Sequence, residues 1–220
     1  MKKTIIALSC MGIAAAPTFG YTSGQITWRD NAPDGNLANY QNWSGVPDGI
    51  TDISNNMTTD TGYWGMFNTG SATRNLYISA PFTFDRLYFQ GSNSKYNIDL
   101  GGNTLTLRGA ATYELTTHAS YKPQKVIVTN GDIAFSKSTR REFRAQGEGN
   151  VITIAGTEER PVTISGGTFK PTATSSGELV FSNTVFASGA NVMLNGGPGC
   201  KISFLGLNTK LAHTVSGYFG

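Results

Sequence analysis

Charge is scarce in this sequence: Asp, Glu, Lys and Arg make up 14% of its 220 residues. Helices of soluble enzymes carry charged residues on their solvent faces, so this composition points away from a helical enzyme. From residue 74 onward no window shows apolar residues at i, i+3, i+4 and i+7, and no helix is expected in the mature chain. Cysteine and histidine are nearly absent, at two residues each. His118 and His213 stand apart from any Ser or Cys nucleophile phrase. Two isolated histidines do not supply the three or four ligands of a zinc site, so no metal and no cofactor is expected. Gly101-Gly102 and Gly166-Gly167 join strands, and no helix follows them to offer an anion-binding terminus.

Long hydrophobic runs are missing too. The run from Ile5 through Ala16 is shorter than the ~20 apolar residues of a spanning helix, and it follows the basic start Met1-Lys2-Lys3. That order reads as a secretory signal peptide over 1–20, with small residues in Thr18-Phe19-Gly20 before a mature start at Tyr21. Ala7-Leu8-Ser9-Cys10 lies too near the start to serve as a lipid-anchor site. Without Lys2 and Lys3 the 17 basic residues become 15 against 14 acidic ones, a net charge of +1. The pI of about 8.8 therefore gives no reason to expect a nucleic-acid partner. Cys10 leaves with the signal, and Cys200 alone can form neither an internal disulfide nor a cysteine-built metal cluster.

What the chain has in quantity is glycine, 27 residues, together with Asn, Ser and Thr. These suit short strands joined by tight turns, because Gly and Asn tolerate positive φ. Residues 21–73 hold Trp28, Trp43 and Trp64 among turn-formers such as Asp34-Gly35-Asn36, and are expected to form a capping segment. Residues 74–220 alternate apolar with polar in short bursts: Leu76 and Ile78, Phe82 and Phe84, Tyr96 and Ile98, Leu105 and Leu107, Val126 and Val128, Ile152 and Ile154, Leu179 and Phe181, Ile202 and Phe204. Period two buries one face of each segment. From Ile78 to Ile98, Val128, Ile152, Leu179 and Ile202 the steps are 20, 30, 24, 27 and 23 residues. An irregular recurrence of this size predicts β-solenoid repeats in which each coil adds one rung. The predicted fold is all-β, a right-handed parallel β-helix (solenoid). The alternative is an antiparallel β-sandwich, since strand, Gly-Gly-Asn, strand is also a hairpin signal.

The segment Tyr96-Asn97-Ile98-Asp99-Leu100-Gly101-Gly102-Asn103-Thr104-Leu105-Thr106-Leu107 resembles a rung in the passenger regions of autotransporter-like proteins, whose β-strand repeats carry a similar phrase. The stretch from Trp28 through Asn42-Trp43-Ser44-Gly45 to Pro47-Asp48 resembles the motif that often precedes those repeats. The resemblance implies a right-handed parallel β-helix that is exported to the outer cell surface or beyond. Members of that family are anchored by a C-terminal outer-membrane barrel. The sequence closes on Ser216-Gly217-Tyr218-Phe219-Gly220 without one. The expectation is a released product, one held by a separate outer-membrane anchor, or part of a longer gene product.

Candidate sites are few. Trp28, Trp43 and Trp64 offer apolar ring faces with polar handles for stacking sugars, but the first coil of a solenoid also needs a cover, and capping is the preferred role. The densest basic stretch, Lys137 through Arg144, is expected in a projecting, solvated loop between Phe135 and Ile152. Its Arg140, Arg141 and Arg144 carry planar guanidinium forks suited to an acidic glycan or phosphate. Asp85, Asp99, Asp132 and Glu178 lie beside or within strands. A glycosidase needs two carboxyl groups ~5–10 Å apart. Asp99 and Asp132, with Arg140 or Arg141, are the set that neighbouring rungs would have to assemble. Ordinary turn and strand-edge roles account for these acids more simply. The sequence thus predicts a secreted or cell-surface structural or adhesive protein without catalytic activity, partnered by a glycan or a host or matrix protein. The alternatives are a polysaccharide lyase or hydrolase, or a glycan-binding module, on the same scaffold.

Overall fold

The computed structural model describes residues 24–51, 53, 63–68, 70–108, 114–136, 142–166, 170–187, 192–206 and 215–219. The expected signal segment, His213, Arg140 and Arg141 lie outside the described residues. The N-terminal end contributes β1 (Gly24–Trp28) and β2 (Trp43–Ser44). The chain then winds through β3 (Tyr63–Phe67), β4 (Thr73–Tyr77) and β5 (Phe82–Phe84), and through β6 (Arg86–Phe89), β7 (Ser94–Asp99) and β8 (Thr104–Leu107). Next come β9 (Leu115–Thr117), β10 (Gln124–Thr129) and β11 (Asp132–Phe135), followed by β12 (Glu142–Gln146), β13 (Val151–Ala155) and β14 (Val162–Ser165). The last are β15 (Lys170–Thr174), β16 (Glu178–Ser182), β17 (Thr184–Phe186), β18 (Val192–Gly196), β19 (Lys201–Leu205) and β20 (Val215–Phe219).

From β3 through β17 each coil gives one strand to each of three sheets. The first sheet has nine strands in the order β2-β1-β3-β6-β9-β12-β15-β18-β20. The second runs β19-β16-β13-β10-β7-β4, and the third β17-β14-β11-β8-β5. Among the described residues the strand pairs are parallel, apart from the antiparallel contact of β1 with β2. The architecture is a parallel β-solenoid. It displaces the antiparallel sandwich alternative at its own signal, the Gly-Gly-Asn turn. β7 and β8 flank that turn but do not pair with each other; β7 pairs with β4 and β10, and β8 with β5 and β11. Gly101 and Gly102, both at positive φ, turn a corner there rather than reverse the chain.

Stacking aligns the inward side chains in columns. In the second sheet Leu76, Ile98, Val128, Ile154, Phe181 and Phe204 share one column, and Tyr96, Val126, Ile152, Leu179 and Ile202 the next. In the first sheet Phe67 and Phe89 stack with ring centroids 4.8 Å apart. Most of these side chains are fully buried, each worth about 1.5–3 kcal/mol of transfer free energy. One coil alone would leave its row wet, so stability resides in the stack.

The corners carry buried polar groups that bond from coil to coil. Asn150 is the clearest. Its Oδ1 accepts from the Gln124 amide at 2.7 Å, and its Nδ2 donates to the carbonyls of His118 at 3.0 Å and Tyr121 at 3.1 Å, and to that of Gln146. At another corner Arg160 spans two neighbours. Its Nη2 donates to the Gly102 carbonyl at 2.8 Å and its Nη1 to Asn130 Oδ1 at 3.2 Å.

The segment after β1 covers the N-terminal end of the core. Leu37, Trp43, Ile50 and Ile53 are buried there. The Trp43 indole donates to the Leu37 carbonyl at 3.0 Å and meets Trp28 edge-on at 5.0 Å. Asp34 organises this cover by accepting from the Asn36 amide and from the side chains of Asn39 and Asn42. The Asn42 hydrogen bond leads in holding its carboxyl below the usual range.

Candidate binding face on the nine-stranded sheet

The outward rows of the first sheet follow from register. One row holds Gln25, Trp64, Arg86, Glu114 and Glu142; the other holds Thr27, Met66, Tyr88, Thr116 and Arg144. Aromatic rings run from this face on β3 and β6 into the turn that follows β9. Trp64 lies 6.5 Å from Tyr88, Tyr88 lies 5.8 Å from His118, and His118 lies 5.1 Å from Tyr121. The Arg86 guanidinium sits 5.2 Å from the Trp64 ring centre and 4.4 Å from that of Tyr88. Cation–π attraction of this kind fixes the guanidinium between the two rings. All four ring-bearing residues are half-buried, so part of each ring meets solvent. His118 Nδ1 accepts from the Ser120 amide at 3.1 Å, which holds its ring in place.

Under this layer lies an acid pair that the sequence alone did not single out. Glu114, just before β9, and Glu142, at the start of β12, meet across adjacent coils, where the Glu114 amide donates to the Glu142 carbonyl at 3.1 Å, and both are buried. Glu114 Oε2 accepts from the Glu142 amide. A carboxylate engaged with the ladder and covered from solvent ties coils together rather than meeting a substrate.

The residues singled out from sequence separate clearly. Trp28 and Trp43 are 4% and 1% exposed, so neither offers a ring face to a ligand; both are core of the N-terminal cover. Trp64 does reach the outer face. Asp99 and Asp132 fall on neighbouring coils but in different sheets, at the end of β7 and the start of β11. Asp99 Oδ1 accepts from the Gly101 amide and from Asn130 Nδ2, and Asp132 Oδ1 accepts from the Thr163 amide. Both therefore serve turns and ladder. Arg144 does not lie in a projecting loop: it stands in β12, because the inward residues Phe143 and Ala145 are both fully buried and demand a strand. Glu178 pairs with Lys201 at 2.9 Å on the surface. Among the described residues no three His, Cys, Asp or Glu side chains are grouped to hold a metal ion, and no helix is long and apolar enough to cross a membrane.

Asp85 is unlike the other acids. It is 2% exposed, its carboxylate oxygens make no hydrogen bond, and Arg108 Nε stands 3.5 Å away. Burial pushes its pKa up, and Arg108 offsets part of that rise.

The fold and its outer rows define the class: a parallel β-solenoid carrying an aromatic and cationic track across the coils of one sheet. No protein family, curated protein or solved structure matches the chain.

Proposed function

We propose that this chain is an exported β-solenoid of the autotransporter-passenger kind, displayed at or released from the cell surface, which binds an extended glycan along its nine-stranded sheet without cleaving it. The observation that carries this reading is the half-exposed track Trp64–Tyr88–His118–Tyr121 with Arg86 set into it. Ring faces of this kind take the apolar faces of sugars, and a fixed guanidinium donates to their hydroxyls. Successive strands in a sheet lie about 4.8 Å apart, so a track over several coils suits a chain of sugars better than a single one. The stiff stacked core suits a display scaffold.

The test is a panel of soluble polysaccharides, read by tryptophan fluorescence and by product analysis. Trp64 is the tryptophan placed to report, since Trp28 and Trp43 are buried. We expect saturable binding by at least one polymer and no shortening of it. Tyr88→Ala and Tyr121→Ala should each weaken binding roughly five- to tenfold, in line with about 1 kcal/mol per ring. Binding unaffected by both variants would overturn the assignment of the face. Glu114 and Glu142 are adjacent carboxyls, but their burial counts against the hydrolytic alternative. Depolymerisation of a panel member that Glu114→Gln abolishes would establish that alternative instead.

A further inference from the structure

The N-terminal cover contains a cavity of about 350 Å3, bordered by Arg29, Tyr40, Gln41, Trp43, Asp48 and Ile50. That volume is near the lower end for small-ligand sites. Trp43 and Ile50, both buried, border it on the core side. Tyr40 is 36% exposed at its edge. Arg29 is held in place by one bond: its Nε donates to the Trp43 carbonyl at 2.8 Å. Its two terminal nitrogens have no partner among the described residues. A guanidinium anchored through Nε presents its remaining donors as a pre-oriented fork, the geometry that matches a carboxylate. Asp48 and Gln41 add an acceptor and an amide at the border, suited to hydroxyl groups.

We propose that this cavity binds one carboxylate-bearing sugar residue, a uronate-type ring, with its carboxylate on the Arg29 fork, its apolar face toward Tyr40 and its hydroxyls toward Asp48 and Gln41. The cavity is closed on its inner side, so it receives a chain end or side branch. The open track on the first sheet receives the body of a polymer, and the two sites act independently.

Calorimetric titration of the full chain with methyl β-D-glucuronide tests this, with methyl β-D-glucoside and sodium acetate as comparisons. The glucuronide should bind saturably, and the glucoside and acetate at least about tenfold more weakly. Arg29→Gln should bring the glucuronide down to the glucoside's level. Tyr40→Ala should weaken both sugars and leave the acid preference intact. Tyr88→Ala, on the sheet, should change none of these values. Equal binding of glucoside and glucuronide would overturn the carboxylate assignment, and equal binding of acetate would reduce the cavity to a simple anion site. Absence of saturation would overturn the proposal altogether, as would full-strength binding by Arg29→Gln. If loss of the Arg29–Trp43 bond prevents that variant from folding, Tyr40→Ala decides, because it removes an exposed ring and leaves that bond in place; undiminished binding there would overturn the site.

Discussion

Gly65 shows how closely single residues are constrained. A Cβ built there would fall 2.7 Å from the Trp43 ring, inside contact distance. The ring is buried and bonded through its nitrogen, so it has nowhere to go. Gly65→Ala should cost about 1–3 kcal/mol in urea unfolding, the usual range for overpacking. Asp85 predicts a pH effect. Its pKa in the folded chain lies above the ordinary 3.8, so between the two values the native state holds a proton that the unfolded state has lost. Its contribution is fully present below the unfolded value and is lost as pH rises through the folded one. Asp85→Asn removes the buried charge and should raise the melting temperature at pH 7 relative to wild type, with a smaller gain near pH 3. An equal shift at both values would show that ionisation of Asp85 does not govern the effect.

At the level of strands, legibility depended on what points inward. In the second and third sheets the inward residues are mostly Leu, Ile, Val and Phe, and the alternation was plain, from Leu105 and Leu107 to Leu179 and Phe181. In the first sheet β9 and β12 pair Leu115 with Thr117 and Phe143 with Ala145, and β15 contributes Ala173. Small and polar inward residues erase the alternation, and the outward acids Glu114 and Glu142 reinforce the look of a loop. For that reason the outer face of the first sheet was the least visible part of the sequence, Trp64 and Arg144 apart. The recurrence was legible only roughly. Ile98 and Val128 share a column, but Ile152 and Leu179 belong to the one beside it, two residues away. Coil-to-coil corner bonds were not legible at all, since a buried Asn150 has the same sequence appearance as a turn Asn. Asn150→Ala would leave the Gln124 amide and nearby carbonyls unmet. A loss of about 2–3 kcal/mol is expected in urea unfolding, and a loss under about 0.5 kcal/mol would show that water takes its place.

For the molecule as a whole, parallel stacking makes each coil depend on its neighbours. Ile26 near the start is fully buried under its capping segment, while Ile202 and Phe204 in β19 are only partly buried. Stability in such an array is a sum of coil and interface terms, which would ordinarily let it come apart one coil at a time. Arg160 works against that. Rooted in one coil, it grips the corners of the two before it. When the protein is stretched lengthwise in an optical trap, those three coils should let go together in a single long extension step. Arg160→Ala should break that step into shorter ones and leave the final contour length unchanged. The same rivet would let the stack carry a sustained pull along its axis without shedding coils singly.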